Sequence, residues 1–464
     1  MHPLRDIAGE SSLANPYQDV SLLRRYEELG GDLDEVLYLS LGETWSEVAP
    51  GLARALRESV PLHGHGYILT PYGLPALREV LRGYVTDSHR LAAVAELGVD
   101  YEVAVSQSST RSAMFHYGRL LREEAPDAAG RPLVVCSSPG WDYAGVFTAL
   151  GYGMRHFAVR PEDEYQPRAE EVEELLRRSR GETTGPLLLV LNAQHNPTGA
   201  DWDERTVRRM VRAAADTGAA VLVDDAYYAV HDPHTPPTSA LRVLLEEYGP
   251  ADDPARGRPW LAVRSLGKQF HCNGWGIGAL TAPPCVLEAL LGRLLPQHGY
   301  VSSVPLQAAM AAWLADEESE TFLATQRANY AQKRQEIAKR LAGDLGYPDE
   351  AFHAGSCGAY LLMRTPPWFE ERAAAGAGTG TRSGPRSGTG RGAEQEPGES
   401  FREFCLRRTG VLVGEAHMST PGERARDPQG FVRLFLGPQQ SVVTEALERL
   451  ADAGLGWADE DAHS

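Results

Sequence analysis

The sequence predicts an α/β fold built on a mainly parallel sheet flanked by helices, with a second, smaller α/β lobe. Three observations carry this expectation. Apolar runs at Pro186–Asn192 and Ala219–Asp225 read as buried strands. Between them, Glu204–Thr217 spaces Val207, Met210, Val211 and Ala214 along one helix face. Strand, helix and strand at this interval form a crossover unit, and such units join parallel neighbours.

The other elements follow from the same pattern. Leu133–Cys136 and Leu261–Val263 are short apolar runs that extend the sheet. From about Arg327 a long helical stretch leads into Gly358-Ala-Tyr-Leu-Leu-Met363, and Phe431-Val-Arg-Leu-Phe-Leu436 follows later, giving the smaller lobe. The chain is thus expected to divide into an N-terminal arm (1–45), a large domain (46–326) and a small C-terminal domain (327–464). Inside the last, 373–399 contains no Val, Leu, Ile, Met or aromatic residue. Such a stretch buries too little to offset its ordering entropy, so it reads as a flexible surface insertion. No internal repeat of about 20 to 50 residues is present.

Composition narrows the class. The chain has 464 residues, 42% hydrophobic and 23% charged, which is a globular balance. Its 45 basic against 63 acidic residues leave a formal charge of −18. That excess argues against duplex nucleic acid or an anionic membrane surface as the main partner. No apolar run approaches the roughly 18 residues of a membrane span. Met1–Pro16 lacks the charged region and apolar core of a signal peptide. Cys136, Cys272, Cys285, Cys357 and Cys405 are scattered, which fits a reducing cytoplasm and speaks against a structural zinc site or a disulfide scaffold.

The chemistry gathers at strand ends. Asn196-Pro-Thr-Gly199 follows the first buried strand, and alone it would be ordinary turn sequence. The next strand ends in Asp224-Asp-Ala-Tyr227 and another in Ser265-Leu-Gly-Lys268. Asn, Asp, Tyr and Lys would then project from the carboxyl ends of parallel strands, where such sheets place ligands. An amine, a carboxylate and two hydrogen-bonding groups are what pyridoxal 5′-phosphate requires.

In these motifs the chain resembles the class I/II aminotransferases among the fold type I pyridoxal phosphate enzymes, from about Leu37 onward and apart from the insertion. The resemblance implies a large domain with a seven-stranded-type sheet and a homodimer with the site at the subunit interface. It implies that Lys268 forms the Schiff base with the cofactor and shuttles the proton. Asp224 would pair with the ring nitrogen, and Asn196 and Tyr227 would bind the phenolic oxygen. Ser106-Gln-Ser-Ser-Thr-Arg-Ser-Ala-Met114 is similar to the family's phosphate cup, which assigns Ser109, Thr110 and Arg111 to the phosphate together with Ser265. Trp141 is placed like the aromatic that stacks on the ring. Tyr67, in Gly66-Tyr-Ile-Leu-Thr-Pro-Tyr-Gly73, resembles the tyrosine that reaches the neighbouring subunit's phosphate, with Tyr72 of the same motif as the alternative. Gly299–Val304 would also cross that interface. Arg433 matches the arginine for the substrate α-carboxylate, and Gly42, in Leu41-Gly-Glu43, resembles the loop passing over the substrate. Glu43, Trp45 and Tyr72 are candidates to face the substrate side chain.

One position departs. Gly267–Gly278 looks like kynurenine and methionine aminotransferases and cysteine-conjugate β-lyases, where the eighth residue after the lysine is a cation for the phosphate. Here it is Gly276. Arg111 or Arg264 would have to replace that charge, or the gap admits a bulkier or anionic co-substrate.

The leading expectation is therefore transamination between a small-molecule amino acid and a keto acid. A second reading uses the same site for β- or γ-elimination and replacement, oxidation or cyclisation in specialised metabolism, on S-adenosylmethionine or another large substrate. A third makes the fold a regulator's effector sensor. The 36 residues before Leu37 are too few for a DNA-binding domain, which counts against it.

Overall fold

A computed structural model describes residues 4, 18–42, 48–95, 98, 100–106, 108–126, 130–249, 259–297, 299, 303–371, 399–416 and 430–458. Its strands are β1 (Leu37–Leu39), β2 (Glu102–Ser106), β3 (Leu133–Ser138), β4 (Gly153–Ala158), β5 (Leu187–Leu191), β6 (Ala220–Asp224), β7 (Trp260–Ser265), β8 (Gly278–Ala282), β9 (Phe352–His353), β10 (Tyr360–Arg364), β11 (Val411–Glu415) and β12 (Phe431–Phe435). Seven of them form one sheet in the order β2-β8-β7-β6-β5-β3-β4. β3–β4, β3–β5, β5–β6 and β6–β7 pair parallel, and β8 runs antiparallel to both its neighbours.

The expected crossover unit is present: β5 and β6 pair parallel, Leu188 against Ala220, with helix Glu204–Thr217 between them. Every residue of β5 is buried, as expected of a strand covered on both faces. The helix buries Val207, Met210, Val211 and Ala214, each larger side chain worth about 1.5–3 kcal/mol. Asp203 caps its start by accepting from the Thr206 amide, worth about 1 kcal/mol, and Gly218 ends it in the left-handed region at φ 66°.

A second sheet, β1-β11-β12-β10-β9, holds the smaller core. β1 joins it in parallel with β11, Leu37 against Val411, so this part of the N-terminal segment is built into the small sheet. The long helix is Glu318–Gly343, starting earlier than the periodicity indicates. Helices Phe401–Thr409 and Gln440–Asp452 complete this lobe, the first opened by a capping box between Ser400 and Glu403. The insertion expected at 373–399 lies outside the described residues except for Glu399, which pairs with Arg407 at 2.8 Å. Among the described residues no helix is long and apolar enough to cross a membrane.

Candidate active site

Five strands of the large sheet, β2, β3, β5, β6 and β7, end toward the same region, and β12 with the segment after β1 closes it from the small lobe. After β5, Asn192 organises the chain reversal. Its amide donates to the Asp224 carbonyl at 2.8 Å, and its Oδ1 accepts from the Asn196 N–H at 2.9 Å. His195, kept neutral by burial with its value down at about 3, hydrogen-bonds Ser137 at 2.9 Å and Thr198 at 2.7 Å. The Asn196 turn is therefore a fixed structure rather than a free loop.

Asp224, at the end of β6, is buried. Burial pushes its carboxyl up to about 6; the Tyr143 hydroxyl, donating at 2.9 Å, then the Ala226 amide and the Lys268 charge, work in the other direction. Tyr143 also packs edge-on against Trp141 at 5.2 Å between ring centroids. An acid held in this way is prepared for a cation that arrives with the ligand. Tyr227 is buried and donates to the Tyr360 hydroxyl at 3.0 Å. Burial, then Tyr360, raises the Tyr227 phenol well above its usual range, so it stays protonated and remains a donor.

Lys268 lies in the short helix Leu266–Phe270 directly after β7. Its Nζ is 3.4 Å from the Gly42 carbonyl, which also accepts from Asn273 Nδ2 at 2.7 Å. A Cβ on Gly42 would stand 2.3 Å from the Tyr360 hydroxyl and 3.2 Å from that of Tyr227. Only glycine lets the segment pass this close. Glu43 and Trp45 lie outside the described residues.

Arg433, on β12, is among the largest fully buried side chains. One terminal nitrogen donates to Asn196 Oδ1 at 3.0 Å, and the guanidinium lies 4.2 Å above the Tyr360 ring. Its buried Nε has no hydrogen-bond partner, and among the described residues no carboxylate pairs with it. A buried cation left this way has an unmet demand for an anion.

The phosphate-cup candidates converge from two strands, β2 and β7. Helix Ser109–Glu123 follows β2, and its N-cap, Ser108, makes no side-chain capping bond. Ser108 and Ser109 are both left-handed, at φ 71° and 77°, a strained pair for non-glycine residues. Ser109 N donates to the Gly276 carbonyl at 2.7 Å, and a Cβ on Gly278 would stand 3.0 Å from Thr110 Cγ2. Ser265 pairs across the ladder with Gly278. No hydrogen bond engages the hydroxyls of Ser109, Thr110 or Ser265 among the described residues. An uncapped helix start with open hydroxyls suits a dianion.

Gly276 itself is left-handed, at φ 61°, and a Cβ there would meet Ser109 N at 3.2 Å. Neither candidate for its missing charge is an unengaged cation. Arg111 gives both terminal nitrogens to Asp142 Oδ2 at 3.0 Å and lies 4.3 Å over the Trp141 ring. Arg264 is buried on the other face of β7 from Ser265, bonded to Ser88 and Tyr84. Of the alternatives for that charge, Arg264 is therefore corrected: strand alternation turns it away.

Tyr67 is 71% exposed and is not brought to this cluster within one chain. Tyr72 is half-buried, with Arg78 5.3 Å over its ring. Of the segment Gly299–Val304, 300–302 lie outside the described residues. Asn192, Tyr143, Asn273 and Tyr360 belong to the cluster and were not read from the sequence. Tyr143, two residues after Trp141, and Asn192, at the end of a buried strand, had a positional signal; Asn273 and Tyr360 had none.

A mainly parallel sheet with a lysine, a buried acid and an uncapped helix start at its carboxyl edge is the arrangement of a fold type I pyridoxal phosphate enzyme. The chain belongs to the class I and II aminotransferases, whose family description it matches over residues 49–377. Over 438 residues it is 22% identical to an aspartate aminotransferase of Pyrococcus horikoshii, covering 93% of this chain and 94% of that protein. It is 25% identical over 446 residues to aromatic-amino-acid aminotransferase 2 of Thermococcus litoralis, covering 96% and 97%. The solved aspartate aminotransferase of Thermus thermophilus with maleate has a similar fold, with a TM-score of 0.69 at 22% identity over 96% of this chain and 100% of that one. The chain is thus a pyridoxal phosphate-dependent aminotransferase, acting on amino acids and keto acids.

Proposed function

We propose that the clustered residues divide the amino-transfer reaction as follows. Ser109, Thr110 and Ser265, with the start of helix Ser109–Glu123, hold the cofactor phosphate, and Arg111 closes the cup from beside Trp141. Trp141 covers one face of the ring. Asp224 pairs with the protonated ring nitrogen; the approaching cation offsets the burial that raises its carboxyl. Asn196 and the protonated Tyr227 bind the phenolic oxygen. When bound, pyridoxal 5′-phosphate supplies the electron sink for the pair left at Cα.

Arg433 receives the α-carboxylate of the amino acid through Nε and its second terminal nitrogen. A bidentate guanidinium fixes the orientation of Cα as a lysine would not. Lys268 Nζ then takes the Cα proton and hands it on inside the closed site. Gly42 forms the roof above Lys268 without a side chain in the way. The observation that carries this reading is the unpartnered Nε of Arg433, buried beside Asn196.

The working unit is a homodimer in the cytoplasm. Leu62, Tyr67 and Leu69 are 97%, 71% and 94% exposed within a single short segment, an apolar patch that a second copy would cover. Tyr67 would then reach the partner's phosphate. The five free cysteines suit a reducing compartment.

The relatives act on aspartate and on aromatic amino acids, so the donor is to be found by scanning the holoenzyme's absorbance against the twenty amino acids and S-adenosylmethionine. Conversion of the cofactor to its amine form with release of a keto acid is the expected result. Loss of a substrate leaving group without the amine form would overturn the transfer reading.

A further inference from the structure

Behind the β6 and β7 ends, on the side away from the cofactor cluster, lies a cavity of about 530 Å³. That volume is in the range of small-molecule sites. The reaction uses none of the residues in its wall. Four arginines, Arg90, Arg242, Arg264 and Arg327, line it against two acids, Glu204 and Glu320. A local basic excess of this kind stands out in a chain of net charge −18.

The arginines differ in how they are engaged. Arg242 pairs with Glu204 at 2.6 Å and Glu246 at 3.0 Å, and Arg327 pairs with Glu320 at 2.7 Å. Arg264, buried, spends its hydrogen bonds on neutral groups: Ser88 Oγ at 2.6 Å, Tyr84 OH at 2.9 Å and Gln269 Oε1 at 3.3 Å. Tyr84 and Tyr228 flank its guanidinium at 4.5 and 5.2 Å. Asp225 lies behind it with Oδ1 unpartnered, its carboxyl pushed up to about 7 by burial, so it offsets Arg264 only in part. Arg90, at the rim and exposed, makes no side-chain hydrogen bond or ion pair among the described residues. The nine-residue helix Ala240–Tyr248 begins at the same wall, with Ser239 and Arg242 both lining the cavity, and its start adds positive potential.

We infer that this cavity is a second anion-binding site, separate from the amino-acid site, for a small polyvalent oxyanion carrying phosphate or clustered carboxylates. Arg264 forms the fixed floor and Arg90 the unengaged rim cation that closes on the ligand. Guanidinium groups meet phosphate and carboxylate with the same paired geometry, so both chemistries fit. An occupant would touch Tyr228 and Arg264, each next in the chain to a cluster residue, Tyr227 and Ser265.

The test is calorimetric titration of the holoenzyme with pyrophosphate and, separately, with citrate. Saturable binding of at least one probe is expected, the stronger of the two identifying the chemistry. Arg90→Gln should weaken it about tenfold or more, a charge-assisted contact being lost. The variant keeps a surface side chain at a backbone φ of 55° and leaves the amino-transfer rate unchanged. Arg433→Gln should leave probe binding as it is. No saturable binding, binding indifferent to Arg90→Gln, or binding lost in Arg433→Gln would each overturn the second site. None of these outcomes bears on transamination, which the absorbance scan reads separately.

Discussion

Arg402 and Arg433 are both buried arginines of the small lobe, and they are treated in opposite ways. Arg402 is enclosed by acceptors: Asp19 Oδ1, Glu415 Oε1 at 3.0 Å, the Val413 carbonyl at 2.8 Å and Ser40 Oγ at 3.2 Å. It ties helix Gln18–Glu28 and the segment after β1 to the small lobe. Arg433 has one neutral partner, an aromatic ring beneath it and an Nε with nothing to donate to. The first is a structural charge with its counter-ions built in. The second fits a counter-ion that comes and goes. Satisfaction of the guanidinium, rather than its burial, separates scaffold from site.

The contrast is sharpest where each arginine is removed. Arg433→Gln should lower kcat/KM for the amino acid by about 10²–10³-fold while leaving the melting temperature nearly unchanged. Arg402→Met should do the reverse. It strands Asp19 and Glu415, costs about 3–5 kcal/mol by denaturant unfolding, and leaves the rate per folded molecule intact. Equal loss of stability in both variants would erase the distinction.

Asp224 extends the comparison to an acid waiting for its partner. Its folded value of about 6 lies above the ordinary carboxylate value. Between about pH 4 and pH 6 the folded apoenzyme therefore keeps a proton that the unfolded chain has released, and stability falls as pH rises through that window. Holding the carboxyl that far above its ordinary range corresponds to about 3 kcal/mol. Asp224→Asn in the apoenzyme should remove this slope, read as the difference between wild-type and variant melts across the window. An unchanged slope would mean that the acid is not held out of its ordinary range.

The smallest effect is expected at Tyr360. Tyr360→Phe removes the acceptor of the Tyr227 hydroxyl, a change of about 1 kcal/mol, and would free that donor for the cofactor oxygen proposed to accept it. Cofactor affinity should hold or rise severalfold by equilibrium dialysis. A large fall would make Tyr360 part of the cofactor site itself.

Much of the cluster was legible because it is local. Asp224 ends a buried strand, and Asn196 and Lys268 come within a few residues of the end of one, so apolar runs and the residues after them suffice to bring them together. The crossover helix Glu204–Thr217 was legible for the same reason, its face being periodic and its ends capped. What the sequence did not show is long-range. Leu37 pairs with Val411, Tyr227 with Tyr360, and Gly42 with Asn273, none of which leaves a trace in local spacing. Arg264 and Ser265 are neighbours in the chain, yet the two-residue period of a strand sends them to different faces. Adjacency to Ser265 is what made Arg264, along with Arg111, an alternative source of the charge missing at Gly276.

The central claim is that Lys268 Nζ moves the Cα proton of an amino acid whose carboxylate Arg433 holds. The most direct test follows loss of deuterium from a Cα-deuterated donor into water by the holoenzyme, for wild type and Lys268→Ala. Rapid washout by the wild type and a fall of about 10²–10⁴-fold in the variant are expected, the range for removal of a positioned proton carrier. Washout at comparable rates in both proteins would contradict the assignment.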